Sequence, residues 1–343
     1  IFSFLTAVGA LPSRKRRTRM SVQTCVCYCT DQSYLFPTLV SALQARAHAA
    51  ADIADIIIVC FDVDAATFSI AGSICKKNNI IIFSRSRSDI DGASAMLGRL
   101  YLDEILPENY KNILYVDGDT QIKYCLNELL SCPPPKEHFF ASADPMVFLL
   151  DDDSREGEGV REHFVDIGLT SQKSTLYFNT GVLYFHRSAW AALARQARTI
   201  IRSQSRMSRF PDQDILNLVG IERVLPMSLS WNFPVFLFNA DLEDTIQPKI
   251  VHYMSQPKPW EGIFRPWQAV DYEPYPAFVA AYPEISGLWK SSSPLRKARY
   301  LAQQNYKRFC ETRRWGRGPL HARILDYEAR CRNGAEQTEQ LSF

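Results

Sequence analysis

The 343-residue sequence lacks several features that would mark an exported protein. It has no CxxC pair, its nine cysteines are odd in number, and no Asn-x-Ser/Thr sequon occurs. A disulfide framework and a glycosylated domain are therefore disfavoured, because secreted domains pair their cysteines in oxidising compartments. Three of the cysteines, Cys25, Cys27 and Cys29, alternate within one apolar run and are expected to be core residues. We expect a cytoplasmic protein.

A long apolar run is also missing at the N-terminus. Residues 1–12 are apolar but too few to cross a bilayer, which takes about 20 apolar residues. The basic residues 14–17 follow this run, whereas those of a signal peptide precede it. We expect residues 1–19 to be a leader or upstream readthrough ahead of a start at Met20. A truncated type II membrane anchor is the alternative.

Positive and negative charges nearly balance, with a net charge of +2, but the basic residues are unevenly distributed along the chain. Residues 288–323 hold ten Lys or Arg residues against the single acid Glu311. This tail is either a peripheral contact with the anionic inner face of a membrane or a solvated helical face, and both interpretations stay open. No nucleic-acid partner is predicted.

Hydrophobic residues make up 46% of the sequence, which excludes a disordered chain. From residue 22 onward, short apolar runs alternate with helical patterns, typical of a mostly parallel mixed sheet flanked by helices. Helices are predicted after the first strand, over 93–106 and 125–131, and again after Pro294. The acidic stretch 151–159 is predicted to be an exposed loop, and the proline-rich region 226–283 irregular. The predicted strands are Val22–Cys29, Ile56–Phe61, Ile80–Phe83, Ile113–Val116, Phe139–Ser142 and Tyr177–Phe185.

The sharpest local signal is a strand that ends in two carboxylates, Asp117 and Asp119. Residues two apart in an extended chain share a face, so both carboxylates can approach one cation. Ligands of α/β sheets bind at the carboxyl ends of strands, where this pair would lie. An acidic strand end without a ligand is the alternative. A haloacid-dehalogenase phosphatase also has a strand followed by D-x-D, but Gln121 stands where that motif has Thr or Val.

Further segments accompany this pair in a fixed order, and together they resemble glycosyltransferase family 8, a retaining family. The resemblance covers residues 22 to about 262. It implies a GT-A-type nucleotide-sugar-binding fold, with a catalytic domain over 20–265 and a C-terminal part, 266–343, of proline-rich loops and a basic helical tail. The segments are Thr30-Asp-Gln-Ser-Tyr34, Arg99-Leu100, Tyr177-Phe-Asn-Thr-Gly-Val182, Asp212-Gln-Asp-Ile-Leu-Asn217 and His252-Tyr-Met-Ser-Gln-Pro-Lys258-Pro-Trp260.

The resemblance also implies a metal site and a donor. Asp117, Asp119 and His252 would hold the cation, Mn²⁺ with Mg²⁺ as the other choice, and the donor would be a UDP-sugar. By itself, a histidine after an apolar pair is more often a structural residue than a ligand. Ser33 and Ser255 depart from the family, which often has Asn and Gly there.

The remaining site residues follow from the same resemblance. Asp31 and Asp212 each have an alternative role as a helix cap, because a helical pattern starts just after them. The substrate-binding residues implied are Thr30, Asp31, Ser33, Tyr34, Arg99, Asn179, Ser255 and Lys258, and the catalytic residues are Gln213, Asp212 and Asp214.

The function implied is retaining transfer of a hexose, galactose or glucose, from a UDP-sugar to a glycan or lipid-linked acceptor. Two alternatives remain. One is a metal-dependent nucleotidyltransferase or phosphatase, and the other is a non-catalytic sugar-binding module on the same fold.

Overall fold

The computed structural model describes residues 22–203, 209–290 and 292–340. Its strands form a central sheet of seven and a small sheet of three. The strands are β1 (Thr24–Asp31), β2 (Ala54–Phe61), β3 (Ile80–Arg85), β4 (Asn112–Val116), β5 (Thr120–Ile122), β6 (Phe139–Ala143), β7 (Phe178–His186), β8 (Val224–Pro226), β9 (Phe233–Pro234) and β10 (Ile250–His252).

The central sheet has the order β3-β2-β1-β4-β7-β6-β8. β3, β2, β1 and β4 run parallel, while β7 is antiparallel to both β4 and β6. The mostly parallel mixed sheet predicted from the sequence is therefore confirmed. β1 is buried on both faces, with Cys25 and Cys27 in one core and Val26 and Tyr28 in the other. All nine cysteines lie in the described residues and are free thiols.

Helices cover both faces of the sheet and extend past it at the C-terminus. They are α1 (Leu35–His48), α2 (Ala65–Lys77), α3 (Leu102–Ile105), α4 (Asn127–Leu130), α5 (Arg155–Asp166), α6 (Ser171–Ser174), α7 (Arg187–Ser203), α8 (Pro211–Gly220), α9 (Glu243–Ile246), α10 (Ala269–Tyr272), α11 (Pro274–Ala281), α12 (Pro294–Trp315) and α13 (Pro319–Gln340).

Two predicted elements differ from the structure. The helix expected over 93–106 is mostly a 3-10 helix, Ala95–Tyr101, which α3 continues for one turn. The loop expected over 151–159 ends at Ser154, because α5 begins at the next residue. The Ser154 side chain accepts a hydrogen bond from the Gly157 amide, which is an N-cap that satisfies one free donor of the first turn.

The proline-rich region is irregular, as expected, but it supplies β9 and β10, which form the small sheet β5-β10-β9 together with β5. β10 pairs antiparallel with β5, which places His252 opposite Thr120. It also pairs with β9, which places His252 opposite Pro234. These pairings bring residues near 252 to the end of β4, since β5 follows β4 after a short turn.

The C-terminal helices pack against the rest of the chain. Trp315, Leu320 and Ile324 lie in one apolar cluster with Phe233 and Leu237. The Glu328 carboxylate on α13 accepts hydrogen bonds from the Ser228 hydroxyl and the Leu229 amide. The predicted domain boundary near residue 265 stays a prediction. Within the residues that the structure describes, every helix is too short or too polar to traverse a bilayer.

Candidate metal centre and substrate cleft

Three side chains from two distant parts of the chain meet beyond the end of β4. Asp117 and Asp119 follow β4, and His252 is the last residue of β10. The Nε2 atom of His252 lies 3.3 Å from Asp119 Oδ1 and 3.9 Å from Asp117 Oδ2. One ligand atom from each residue falls within 4.8 Å of the others, the spacing that a shared cation requires.

Asp117 is held on one side by two buried groups. The Arg99 guanidinium lies 2.9 Å from Asp117 Oδ1, and the Tyr115 hydroxyl donates to the same oxygen at 2.6 Å. Burial raises the pKa of the Asp117 carboxyl above its ordinary value, even though Arg99 acts to lower it. With Oδ1 occupied by these donors, Oδ2 is the oxygen that faces His252.

Asp119 has a different environment, because a lysine approaches it. Lys258 Nζ lies 2.7 Å from Asp119 Oδ2 and also donates to the Tyr253 carbonyl. Burial alone would raise the pKa of the Asp119 carboxyl, but Lys258 and His252 outweigh it and hold that pKa well below its usual range. Asp119 is therefore an anion, with Oδ1 facing His252 Nε2.

Two glycines make room for this arrangement. A Cβ atom on Gly181 would lie 2.1 Å from His252 Cε1, closer than real contacts allow. A Cβ atom on Gly118 would lie 2.2 Å from the Thr38 hydroxyl oxygen of α1. The close approach of α1 therefore requires a glycine between the two aspartates.

The donor set fits a divalent cation that accepts both oxygen and nitrogen. Carboxylate oxygens are hard ligands, and an imidazole nitrogen is a ligand of intermediate softness. His252 Nδ1 lies 2.9 Å from Asn232 Oδ1, so its other ring nitrogen is free to face the two carboxylates. Metal-binding histidines commonly have such a second hydrogen bond.

The candidate metal centre forms part of the wall of a cleft of about 660 Å³. Most of the residues that the family resemblance assigned to substrate line this cleft. They are Thr30, Asp31, Tyr34, Arg99, Asn179, Asp212, Gln213 and Ser255.

One end of the cleft is formed by the turn between β1 and α1. Asp31 Oδ1 accepts hydrogen bonds from the Ser33 amide at 2.9 Å and from the Tyr34 amide at 3.3 Å. The carboxylate thus stabilises the turn, but the N-cap of α1 is Tyr34, so Asp31 does not have the helix-capping role considered from the sequence. The residue also lines the cleft. Asp31 Oδ2 pairs with Arg87 at 3.2 Å. Ser33 is exposed, and its hydroxyl donates to Asp31.

The other end of the cleft is a buried hydrogen-bonded group. Gln213 Nε2 and Asn179 Nδ2 both donate to Asp144 Oδ2, at 3.0 and 3.1 Å. Burial raises the pKa of the Asp144 carboxyl, although the Met146 amide, Asn179 and Gln213 act to lower it. Planar amides and a carboxylate are suited to binding sugar hydroxyls, because each presents paired donors or acceptors.

The three residues at the start of α8 separate into different roles. Asp212 lies 3.6 Å from Arg99 and within the first turn of the helix, whose N-cap is Phe210. Asp212 is therefore not the N-cap that was considered from the sequence. Asp214, within the helix, accepts a hydrogen bond from the Phe210 amide at its Oδ2. Asp214 Oδ1 accepts from the Tyr177 hydroxyl at 2.6 Å. Asp214 is turned into the interior, and the catalytic roles of Asp212, Gln213 and Asp214 stay predictions.

Several site residues were not identified from the sequence as contributors to the cleft or its support. Arg99, which the resemblance implied as a substrate-binding residue, pairs in the structure with the carboxylates of Asp117 and Asp212. Asn232 carried no spacing signal, because its role depends on contacts between segments far apart in the chain. Tyr177 and Gly181 had appeared only as members of a family segment, without a role. The residues that the structure adds to the site are Tyr115, Asp144 and Asn232.

Comparison with known proteins agrees with this geometry. A family model described as glycosyl transferase family 8 matches residues 25–263. The lipopolysaccharide 1,2-glucosyltransferase of Escherichia coli K12 is 26% identical over 180 residues, which are 48% of this chain and 49% of that protein. This chain spans about half the length of the curated relatives it matches.

Solved structures share the fold. The bifunctional glycosyltransferase WbbM superimposes with a TM-score of 0.59 and 19% identity, covering 78% of this chain and 51% of WbbM. The galactosyltransferase LgtC, solved with donor and acceptor sugar analogues, gives a TM-score of 0.55 and 17% identity over 80% of this chain and 99% of LgtC. The GT-A-type fold expected from the resemblance is confirmed. With a family match over most of its length, the chain belongs to glycosyltransferase family 8.

Proposed function

We propose that this protein is a retaining glycosyltransferase that moves a hexose, galactose or glucose, from a UDP-sugar to a glycan or lipid-linked acceptor. The observation that carries the proposal is the convergence of Asp117, Asp119 and His252 in a cleft that also contains Gln213 and Asn179. The names of the curated relatives, both lipopolysaccharide glucosyltransferases, support the reaction class.

The metal ligands in this proposal are Asp117 Oδ2, Asp119 Oδ1 and His252 Nε2. The imidazole favours Mn²⁺ over Mg²⁺, which prefers oxygen ligands alone. A cation bound there supplies the charge that neutralises the diphosphate as UDP leaves. Lys258 adds a second positive charge beside Asp119, and burial places it where water competes weakly for a phosphate oxygen.

Gln213 decides how the reaction retains configuration. A neutral amide is a poor nucleophile, so we favour displacement on one face of the sugar rather than a covalent glycosyl-enzyme. The bond from the anomeric carbon to the phosphate oxygen breaks, and a bond to the acceptor oxygen forms on the same face. The proton of the acceptor hydroxyl passes to the departing phosphate oxygen. Gln213 Oε1 stabilises positive charge on the sugar.

A donor screen tests this function. The full-length protein is incubated with a panel of UDP-hexoses and Mn²⁺, with a chelator as the metal-free control, and the released products are identified. We expect Mn²⁺-stimulated release of UDP from one donor. Release of inorganic phosphate instead would indicate a phosphatase. Tight binding of a donor, combined with no turnover of any donor in the presence of any acceptor offered, would indicate a non-catalytic sugar-binding module.

The basic tail contributes a second part of the proposal, a contact with an anionic membrane surface. Tyr300 and Trp315 are buried and thus not available to lipid. On the opposite side of α12, however, a stripe at helical spacing is exposed, and it consists of Leu295, Arg299, Tyr306, Phe309 and Arg313. Exposed aromatic and basic side chains on one helical face are typical of an interfacial helix.

Sedimentation with liposomes tests the membrane contact. We expect binding to vesicles that contain anionic lipid and a loss of binding as salt rises. Each of Arg299→Gln and Arg313→Gln should weaken the partition by about fivefold, since a basic residue near anionic headgroups contributes about 1 kcal/mol. Arg195→Gln on α7 is the matched control and should change nothing. Binding that is insensitive to salt, or equal for all three variants and wild type, would contradict the contact.

A further inference from the structure

A chain of buried hydrogen bonds connects the candidate metal centre to the sugar end of the cleft. Its fixed point is the Gly181 amide, which can only donate, and which donates to Asn179 Oδ1 at 2.9 Å. Asn179 Oδ1 therefore has to be the oxygen of that side chain. The assignment agrees with the other atom, Asn179 Nδ2, which donates to the Asp144 carboxylate.

The orientation of Asn179 fixes that of Asn232. Asn179 Oδ1 lies 2.9 Å from Asn232 Nδ2, and an oxygen needs a donor opposite it. Asn232 therefore presents its amide nitrogen to Asn179 and its oxygen, Oδ1, to His252 Nδ1 at 2.9 Å. An oxygen acceptor requires that His252 Nδ1 carry a hydrogen. In the neutral ring, the lone pair is then on Nε2, the atom that faces Asp117 and Asp119.

We propose that Asn232 is a positioning residue that sets the tautomer of His252 and joins the metal ligand to the sugar-binding amide of Asn179. The proposal rests on the function proposed above only in that His252 binds a metal and Asn179 binds a sugar. Asn232 itself is 2% exposed, so neither end of its amide can replace a lost partner with bulk water. The hydrogen-bonded unit that results is Gly181, Asn179, Asn232 and His252.

The hydrogen-bonded unit also reaches the residues at the sugar end of the cleft. Asn179 Nδ2 also lies 3.2 Å from Gln213 Oε1, so the chain of hydrogen bonds continues from His252 to Gln213 at the other end of the cleft. Removal of the support for a metal-binding histidine typically lowers metal affinity by about 10- to 100-fold. We expect a loss of this size when Asn232 cannot accept a hydrogen bond.

Two substitutions separate the two ends of Asn232. Asn232→Leu is close in size and removes both hydrogen bonds. Asn232→Asp keeps an acceptor for His252 Nδ1 but removes the donor to Asn179. Asn239→Leu is the matched control, because Asn239 is a buried asparagine outside this unit that donates to Glu311.

Two readouts are made on the full chain without any sugar donor. The first is the tautomer of His252, from long-range ¹H–¹⁵N spectra of the imidazole at alkaline pH, assigned by loss of the signal in His252→Asn. The second is Mn²⁺ affinity by calorimetry. Thermal unfolding shows whether each variant is folded.

We expect the wild type to have its hydrogen on Nδ1, and Asn232→Leu to shift the ring toward the other tautomer and weaken Mn²⁺ binding by about 10- to 100-fold. Asn232→Asp should keep the Nδ1–H tautomer and at least the wild-type affinity, and Asn239→Leu should change neither readout. A wild-type ring protonated on Nε2, or equal behaviour of Asn232→Leu and wild type, would overturn the proposal. A wild type with the Nδ1–H tautomer and no transferase activity would instead refute the proposed function alone.

Discussion

Asp119→Asn is expected to lower both Mn²⁺ affinity and the rate of UDP release by about a thousandfold, the upper range for loss of one charge-stabilising group. The carboxylate has two contacts, with His252 Nε2 at Oδ1 and with Lys258 Nζ at Oδ2. An amide of the same shape is neutral, so it binds a cation weakly. It also leaves the buried ammonium of Lys258 with reduced compensation, which adds repulsion toward the metal.

The control for this substitution is Asp166→Asn, an exposed carboxylate at the end of α5. It removes the same charge from the chain at a distance from the cleft and should leave both readouts unchanged. Mn²⁺ affinity is measured by calorimetry without donor, and UDP release by a coupled assay. An Asp119→Asn protein that is folded and binds Mn²⁺ as the wild type does would refute the assigned metal centre.

The second large effect is expected for Gly181→Ala, a substitution that adds one methyl group. That methyl would meet three atoms of the His252 ring at 2.1 to 3.0 Å, so the imidazole must move. Gly181 lies within β7. We expect Mn²⁺ affinity to fall by about 100-fold, as for loss of ligand support, and the free energy of unfolding to fall by about 1–3 kcal/mol from overpacking.

Gly159→Ala serves as the matched control, because a Cβ atom there meets nothing within 4 Å. Gly159 lies within α5, so alanine should stabilise the protein by about 0.5–1 kcal/mol and leave Mn²⁺ binding unchanged. Urea unfolding and calorimetry measure the two quantities. If Gly181→Ala bound Mn²⁺ with wild-type affinity, the ring of His252 would not lie against Gly181 when it binds the metal.

Much of the central fold could be predicted from the sequence because its strands are buried apolar runs. β2 and β4 were predicted to within two residues, since β-branched runs bounded by polar residues define them. The start of α5 could not be predicted from composition, because the stretch 151–159 is acidic and contains glycine. The helix there depends on the N-cap at Ser154. It also depends on Val160 and Phe164, which pack in the apolar cluster that includes Phe233 and Trp315.

Only part of the candidate site could be predicted from the sequence, because some of its residues come together only when the chain folds. Asp117 and Asp119 could be paired from their spacing, because two residues in an extended segment share a face. His252 could be added only through a family resemblance, since 132 residues separate its β10 position from Thr120, its partner in the sheet. Asn232 and Gly181 act through contacts that exist only after β7, β9 and β10 have assembled, so no local pattern encodes them.

The C-terminal helices show the same limit on a larger scale. The basic tail, residues 288–323, includes the aromatic residues Tyr300, Tyr306, Phe309 and Trp315, and the sequence does not distinguish between them. In the structure Tyr300 and Trp315 are buried against the rest of the chain, while Tyr306 and Phe309 are 71% and 61% exposed. Which side of a helix becomes buried depends on the surface it meets, and that surface comes from the region around Phe233 and Phe264.

Anomalous diffraction from crystals grown with Mn²⁺ and UDP tests most directly whether one cation joins the two aspartates and the distant imidazole. Data collected on either side of the manganese absorption edge locate the ion without reference to any assumed chemistry. We expect a single anomalous peak bonded to Asp117, Asp119 and His252 Nε2, with the diphosphate on its remaining positions. A peak elsewhere in the cleft, or one that leaves the His252 ring uncoordinated, would contradict the metal centre and the transferase proposed from it.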